Sequence, residues 1–212
     1  MAGQIGWLAR GTRPDLTFAQ VEMSTKFLNG KVKDLNKAIK AVRKIPNNKS
    51  SYKIRNLGSC DEWQVEVSTD ASLGNLNEGV DSTAGYIVLL KNPYGVCVPI
   101  SWSSNKIKRI VDNTLAAEAL SMTGGLEEAV HIRCLVEEVL GIKEKSIPVN
   151  AIIDNKGTYD AVHSTIAVQD KRLRRDISMI KELLNEKEVT RIMWCEGKNQ
   201  LADGLTKWGA VP

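Results

Sequence analysis

Four carboxylates stand where a carboxylate is costly or conspicuous. Asp70 closes "QVEVSTD", a run in which Val65 and Val67 alternate with polar neighbours, and small residues, Ala71 and Ser72, follow it. Such alternation predicts a half-buried strand, with the acid held at its last position. Asp154 repeats the placement at the end of "VNAIID". Glu118 falls in "LAAEALSM", on a stripe with Leu115, Ala119 and Met122, where a charge is costly unless something cationic satisfies it. Asp203 lies among Leu201, Ala202 and Leu205 in "QLADGLTK". Each alone has an ordinary explanation as a cap, a turn former or half of a salt bridge. Two at strand ends and two on helices that cover a sheet fit a converging cluster better. Clustered carboxylates repel one another until a multivalent cation neutralises them. Oxygen-only ligands select Mg²⁺ or Mn²⁺, and two such ions about 4 Å apart are a device for phosphodiester cleavage.

Competing chemistries lack their residues. The two histidines, His131 and His163, lie in helical contexts without an obvious nucleophile. Cys60, Cys97, Cys134 and Cys195 are widely spaced, which argues for scattered thiols and against zinc. No Gly-rich loop precedes a Lys-Ser/Thr pair, and no Asp-Asp doublet of a polymerase centre occurs.

The elements that must position these acids follow from periodicity and punctuation. "SYKIRNL", "EWQVEVSTD", "TAGYIVLL" and "VCVPISW" are predicted strands of an antiparallel meander. A long helix is expected from about Asp112 to Leu140, stopped by Gly141, then a strand in "IPVNAIID" and a short helix in "NKGTYDAVH". "QDKRLRRDISMIKELLNEK" predicts an amphipathic helix, "VTRIMWC" a strand and "NQLADGLTK" a last helix. The sum is an α/β fold, a mixed sheet covered by helices. Before it, "DLTFAQVEMSTKFLNG" and "VKDLNKAIKAVRKI" read as two helices, the second ended by Pro46 and "NNKSS". A domain boundary is placed there, between a basic helical segment at 1–50 and an α/β domain at 51–212.

Charge divides along the same line. Residues 1–60 carry 12 Lys and Arg against 3 Asp and Glu, while residues 61–212 carry 17 against 22. A basic front with an acidic, cation-requiring back suggests a polyanionic partner. Lys31, Lys33, Lys37, Lys40, Arg43 and Lys44 are its candidate phosphate contacts, with Lys171, Arg172, Arg174 and Arg175 a second group in the acidic part. The longest apolar run, "YIVLL", falls far short of the ~20 residues of a membrane span, so an intracellular, membrane-free location is expected.

In order, "STDAS", "DSTAGYIVLL", "ISWSSNK", "NTLAAEALSM", "IIDNKG" and "QLADGLTK" resemble the RNase H domain at the C-terminal end of copia-type LTR retrotransposon polyproteins. "GQIGWLARGTRPDLTFAQVEMSTKF" resembles the stretch that joins the reverse transcriptase thumb region to it. The resemblance implies an RNase H-like fold, with a five-stranded mixed sheet whose first three strands are antiparallel. It also implies two Mg²⁺ ions, with Mn²⁺ as a possible substitute, and hydrolysis of the RNA strand of an RNA/DNA hybrid. By the same resemblance Asp70 bridges both ions, Asp203 helps hold the ion carrying the nucleophilic water, and Glu118 and Asp154 hold the other. A reverse transcriptase polymerase module in the same polyprotein is the implied partner, in the cytoplasm, within a virus-like particle, or in the nucleus. Ser104 and Asn155, beside these motifs, are candidates for contacting ribose 2′-hydroxyls, with loop or cap roles as the alternative. Two other readings keep the fold: a decayed or domesticated module that binds nucleic acid or supports a polymerase without cleaving, and strand transfer, which uses three acids in a different order.

Overall fold

The computed structural model describes residues 2–26, 30–47 and 53–208; the side chains of 2 and 44–47 are outside this description. Five strands form one sheet in the order β3-β2-β1-β4-β5: β1 is Gln64–Leu76, β2 Asp81–Lys91, β3 Cys97–Lys106, β4 Val149–Ile153 and β5 Arg191–Trp194. β1 pairs antiparallel with β2, and β2 with β3; β1–β4 and β4–β5 are parallel. This is the mixed sheet that the resemblance implied.

β1 is central and covered on both faces, with Val65 and Val67 fully buried and Glu66 and Ser68 nearly so, rather than half-buried as its alternation suggested. It also runs six residues beyond Asp70, because β2 keeps pairing with it after β4 has stopped. Asp70 is therefore not a strand-end residue. It sits inside β1, two residues past the last β1–β4 pair, Ser68 with Ile152.

One face of the sheet packs Val65, Val67, Val88, Leu90, Val149 and Ala151 against α4, Thr114–Leu140. Asn113 caps α4 by accepting from the Ala116 N–H at 2.8 Å, and Gly141 ends it in the left-handed region at φ 63°. Two further helices, α5 (Lys156–His163) and α6 (Lys171–Asn185), are capped by Asn155 and Asp170. On α6, Leu173, Ile177 and Ile180 close the same core. Across the sheet, Ile87 and Leu89 pack on Ala202 and Leu205. Those two belong to a short 3-10 turn, Leu201–Leu205, that stands where an α-helix was expected.

The expected strand at "SYKIRNL" is absent: residues 53–59 form no ladder, and Ser51 and Tyr52 lie outside the described residues. β1 is already paired on both sides, which leaves this segment no edge beside it.

The basic segment forms α1 (Ala2–Gly11), a 3-10 turn (Pro14–Leu16), α2 (Thr17–Thr25) and α3 (Val32–Asn47). α1 was not foreseen, α2 is shorter than expected, and Phe27, Leu28 and Asn29 lie outside the described residues. α3 takes Pro46 into its last turn instead of ending before it. The segment lies against the sheet domain: Phe18 and Val21 pack on Leu76, and the Trp102 Nε1–H donates to the Ala9 carbonyl at 2.7 Å. Among the described residues no helix is long and apolar enough to cross a membrane.

Gly125 lets α4 approach β1. A Cβ there would meet Thr69 Cγ2 at 2.5 Å and Tyr86 Cβ at 3.2 Å, neither of them the free end of a flexible chain. Gly125→Ala is expected to destabilise the protein by about 1–3 kcal/mol in denaturant unfolding, despite alanine's better helix propensity, because overpacking outweighs that gain.

Candidate metal centre

Three strands set one row of the site. Asp70 pairs with Gly85, and Gly85 with Ser104. Gly85 has no side chain, so Leu205 and Thr206 lie directly on it; a Cβ would come within 2.8 Å of Leu205 Cβ and 2.9 Å of Thr206 Cγ2. That seat brings the C-terminal turn beside Asp70, where the Thr206 hydroxyl donates to Asp70 Oδ2. Gln200 fixes the start of the turn: its Nε2 donates to the Thr69 carbonyl at 3.0 Å and its Oε1 accepts from Ala202 N–H. Asn75, on the part of β1 beyond Asp70, donates to the Thr206 carbonyl at 2.7 Å.

From the other side, α4 docks through the Ser121 hydroxyl, which donates to the carbonyls of Asp70 at 2.7 Å and Gly85 at 3.1 Å. Ser121 stands three residues after Glu118, so this clamp also places Glu118. Asp154 follows the last residue of β4, and its carbonyl accepts from the Trp194 Nε1–H at 2.8 Å. Carboxylate oxygens of Asp70, Glu118 and Asp154 all lie within 4.8 Å of one another.

The donor set fits a hard divalent cation. Asp70 is 1% exposed and Glu118 5% exposed, and Glu118 Oε2 has no hydrogen-bond partner. A buried, unpartnered carboxylate oxygen beside two other carboxylates costs several kcal/mol unless it is protonated or meets a cation. Burial, then repulsion from Asp70 and Asp154, pushes Glu118 up to about 9, against the Ala71 N–H and Lys207. Burial likewise raises Asp70 to about 6, with Thr206 and Lys207 working the other way.

Asp203 stands apart from the trio and connects to it through Lys207, whose Nζ lies 2.8 Å from Asp203 Oδ1 and 3.4 Å from Asp70 Oδ2. Burial works against this ammonium, but the two carboxylates outweigh it and raise its pKa. Lys207 and Thr206 were not singled out in the sequence. Both lie inside "QLADGLTK", and Lys207's place four residues after Asp203 was the signal available.

The remaining expected residues fall elsewhere. Ser104 is buried, in the Asp70 row, with an unpartnered hydroxyl. The Asn155 side-chain oxygen caps α5, accepting from the Thr158 N–H at 2.9 Å. Lys171, Arg172, Arg174 and Arg175 are exposed on the first turns of α6, and Arg174 also donates to the Val168 carbonyl. Lys171 and Arg172 line a cavity of about 490 Å³ together with Arg109 and Ala116, the latter two residues before Glu118. Around α3, Lys33, Lys40 and Arg43 are exposed, Lys31 pairs with Glu78 and Lys37 with Glu22. The Lys44 side chain lies outside the described residues. His163 stacks on Tyr159 with ring centroids 4.2 Å apart, a packing role.

No family model matches the chain. Over 208 residues, 98% of its length, it is 30% identical to the retrovirus-related Pol polyproteins from transposons RE2 and RE1 of Arabidopsis thaliana. The chain is similar in sequence to these transposon Pol polyproteins along nearly all its length. It spans 14% and 13% of the length of these two curated relatives. Among solved structures it is similar to the N-terminal RNase H domain of a Mycobacterium tuberculosis protein, with TM-score 0.47 and 19% identity over 68% of this chain and 90% of that one. It is also similar to the prototype foamy virus protease-reverse transcriptase, with TM-score 0.47 and 15% identity over 77% of this chain and 22% of that one.

The raised carboxylates predict a pH dependence of the protein's stability in chelator. A folded-state pKa above the unfolded value adds stability that is complete below the unfolded pKa and lost as pH rises through the folded one. Asp70 and Glu118 fold from ordinary values of 3.8 and 4.5 to about 6 and about 9. In EDTA the melting temperature is therefore expected to fall from about pH 5 to about pH 9, and added Mg²⁺ to raise it most at the alkaline end. A chelated protein equally stable across that range would contradict the assignment.

Proposed function

We propose that this chain is a divalent-metal-dependent ribonuclease H that hydrolyses the RNA strand of RNA/DNA hybrids, as part of a copia-type retrotransposon polyprotein. The observation that carries this reading is the convergence of Asp70, Glu118 and Asp154 within 4.8 Å, in a chain that matches transposon Pol polyproteins along nearly all its length. Asp70, Glu118 and Asp154 would hold one Mg²⁺, and Asp70 with Asp203 a second, by the analogy drawn from the motifs. When bound, such ions supply charge stabilisation for the attacking and leaving oxygens of a phosphodiester.

The chain's own residues do the positioning. Thr206 and Ser121 hold Asp70 by its carboxylate and its backbone, so its oxygens point one way. The Ala71 N–H orients Glu118 and leaves its Oε2 free for a ligand. Lys207 is the cation nearest the acids, placed to offset a phosphate's charge as it approaches an otherwise repelling site. Lys171, Arg172, Arg174 and Arg175 gather at the N-terminal end of α6, where the helix dipole disfavours cations. That cost is offset if a nucleic-acid backbone runs there, along the cavity that reaches Ala116. Lys33, Lys40 and Arg43 extend a cationic surface over α3. A polymerase module is the proposed partner in the same polyprotein, in the cytoplasm or nucleus.

End-labelled RNA/DNA, RNA/RNA and DNA/DNA duplexes incubated with the purified chain test this reading. Cleavage of only the hybrid's RNA strand, dependent on Mg²⁺ or Mn²⁺ and abolished by EDTA, is expected. Asp70→Asn is expected to lower the rate by about 10²-fold or more while hybrid binding persists. An Asp70→Asn protein cleaving at the wild-type rate would contradict it.

A further inference from the structure

The turn that carries Asp203 and Lys207 is held from two sides. On the sheet side, Thr206 bonds to Asp70 and Asn75. On the other side the chain leaves the turn at Trp208, whose ring and N–H both engage α2. Its ring meets Phe18 edge-on, with centroids 5.7 Å apart and planes at 73°, and its Nε1–H donates to Glu22 Oε2 at 2.8 Å. Glu22 is fixed in turn: its Oε1 takes the Lys37 ammonium of α3 at 2.8 Å. Phe18 is buried against Val21 and Leu76, the last residue of β1.

A line of contacts therefore runs from α3 through Glu22 to Trp208, the residue next to Lys207. Backbone bonds continue it, since the N–H groups of Thr206 and Lys207 donate to the Asp203 carbonyl at 3.1 and 3.0 Å. A five-residue 3-10 turn has little cooperativity of its own and depends on such outside anchors. Gln200 and Thr206 are both tied to β1, so the Trp208 anchor acts on Lys207 directly and reaches Asp203 through the bonds from Thr206 and Lys207 to its carbonyl.

We infer that the helical segment preceding the sheet domain sets the position of Asp203 and Lys207 through Trp208, with Glu22 and Phe18 as positioning residues for the metal centre. The segment is thus part of the catalytic unit and not only a cationic surface, and Lys37 acts through Glu22 in addition to any contact with phosphate. This inference rests on the nuclease reading for its consequence in catalysis, while its structural content stands separately.

Hydrogen exchange and metal dependence in the full chain test it, with Glu22→Ala, Glu22→Gln and Trp208→Phe. Glu22→Ala is expected to speed exchange across residues 201–208 about tenfold and leave residues 65–69 of β1 unchanged. The Mg²⁺ concentration for half-maximal cleavage should rise about tenfold, as for loss of an outer-shell partner. Glu22→Gln keeps one acceptor oxygen for the indole but loses the charged partner of Lys37, so it should fall between wild type and Glu22→Ala in both. Wild-type exchange at 201–208 in Glu22→Ala would overturn the inference, and so would a Glu22→Gln protein that behaves like Glu22→Ala. Should Glu22→Ala quicken exchange in β1 as well, Trp208→Phe decides. It keeps a ring on Phe18 without the N–H, so faster exchange confined to 201–208 supports the link and unchanged exchange overturns it. A wild-type chain that cleaves no hybrid would refute the nuclease reading, and the exchange data would still judge the clamp.

Discussion

Three carboxylates forced together, two of them almost fully buried, are the constraint that organises this molecule. Asp70 and Glu118 are almost fully buried, and Asp154 lies within 4.8 Å of both. Left to themselves they would protonate or separate, and Glu118 shows the first tendency in its pKa of about 9. What prevents the second is rigidity on every side. β1 is central and paired through Asp70 with β2, Ser121 ties α4 to the backbone at that point, and Trp194 holds the Asp154 carbonyl. A scaffold that holds repelling groups in place stores the energy that a cation releases on binding.

Two glycines make that scaffold close enough to work. Gly125 lets α4 sit on Thr69 and Tyr86, which sets how far Glu118 reaches. Gly85 lets Leu205 and Thr206 lie on β2 beside Asp70. The second close approach matters for charge as well as packing, because it delivers Lys207 to the acids. With Lys207 bridging Asp70 and Asp203, the acidic cluster carries its own counter-cation.

Much of this was legible in the sequence, for physical reasons that can be named. Period-2 runs bounded by Gly, Asn and Pro marked β2, β3, β4 and β5, and Gly141 marked the end of α4. The four acids were conspicuous because a carboxylate at an apolar position needs a cause. The extent of β1 was not legible: its continuation past Asp70 depends on β2 pairing alone, and "ASLGNL" has no alternating apolar pattern. The "SYKIRNL" run had the alternation of a strand, but β1, the next strand in the chain, is paired on both sides by β2 and β4, a fact of topology and not of local pattern. The turn at "NQLADGLTK" has helical spacing, yet Gly85 and Gln200 draw it into a tight 3-10 form. Lys207, Thr206 and the α2 clamp on Trp208 rest on contacts between residues far apart in the chain, and no spacing rule reaches that distance.

The central claim, that Asp70, Glu118 and Asp154 form a metal centre, is tested most directly by crystals of this chain grown with Mn²⁺ and measured for anomalous scattering. An anomalous peak bounded by oxygens of those three side chains, about 2.0–2.3 Å from each, is the predicted result. A refined structure in saturating Mn²⁺ with no anomalous density between them, and Glu118 still without a ligand, would contradict it.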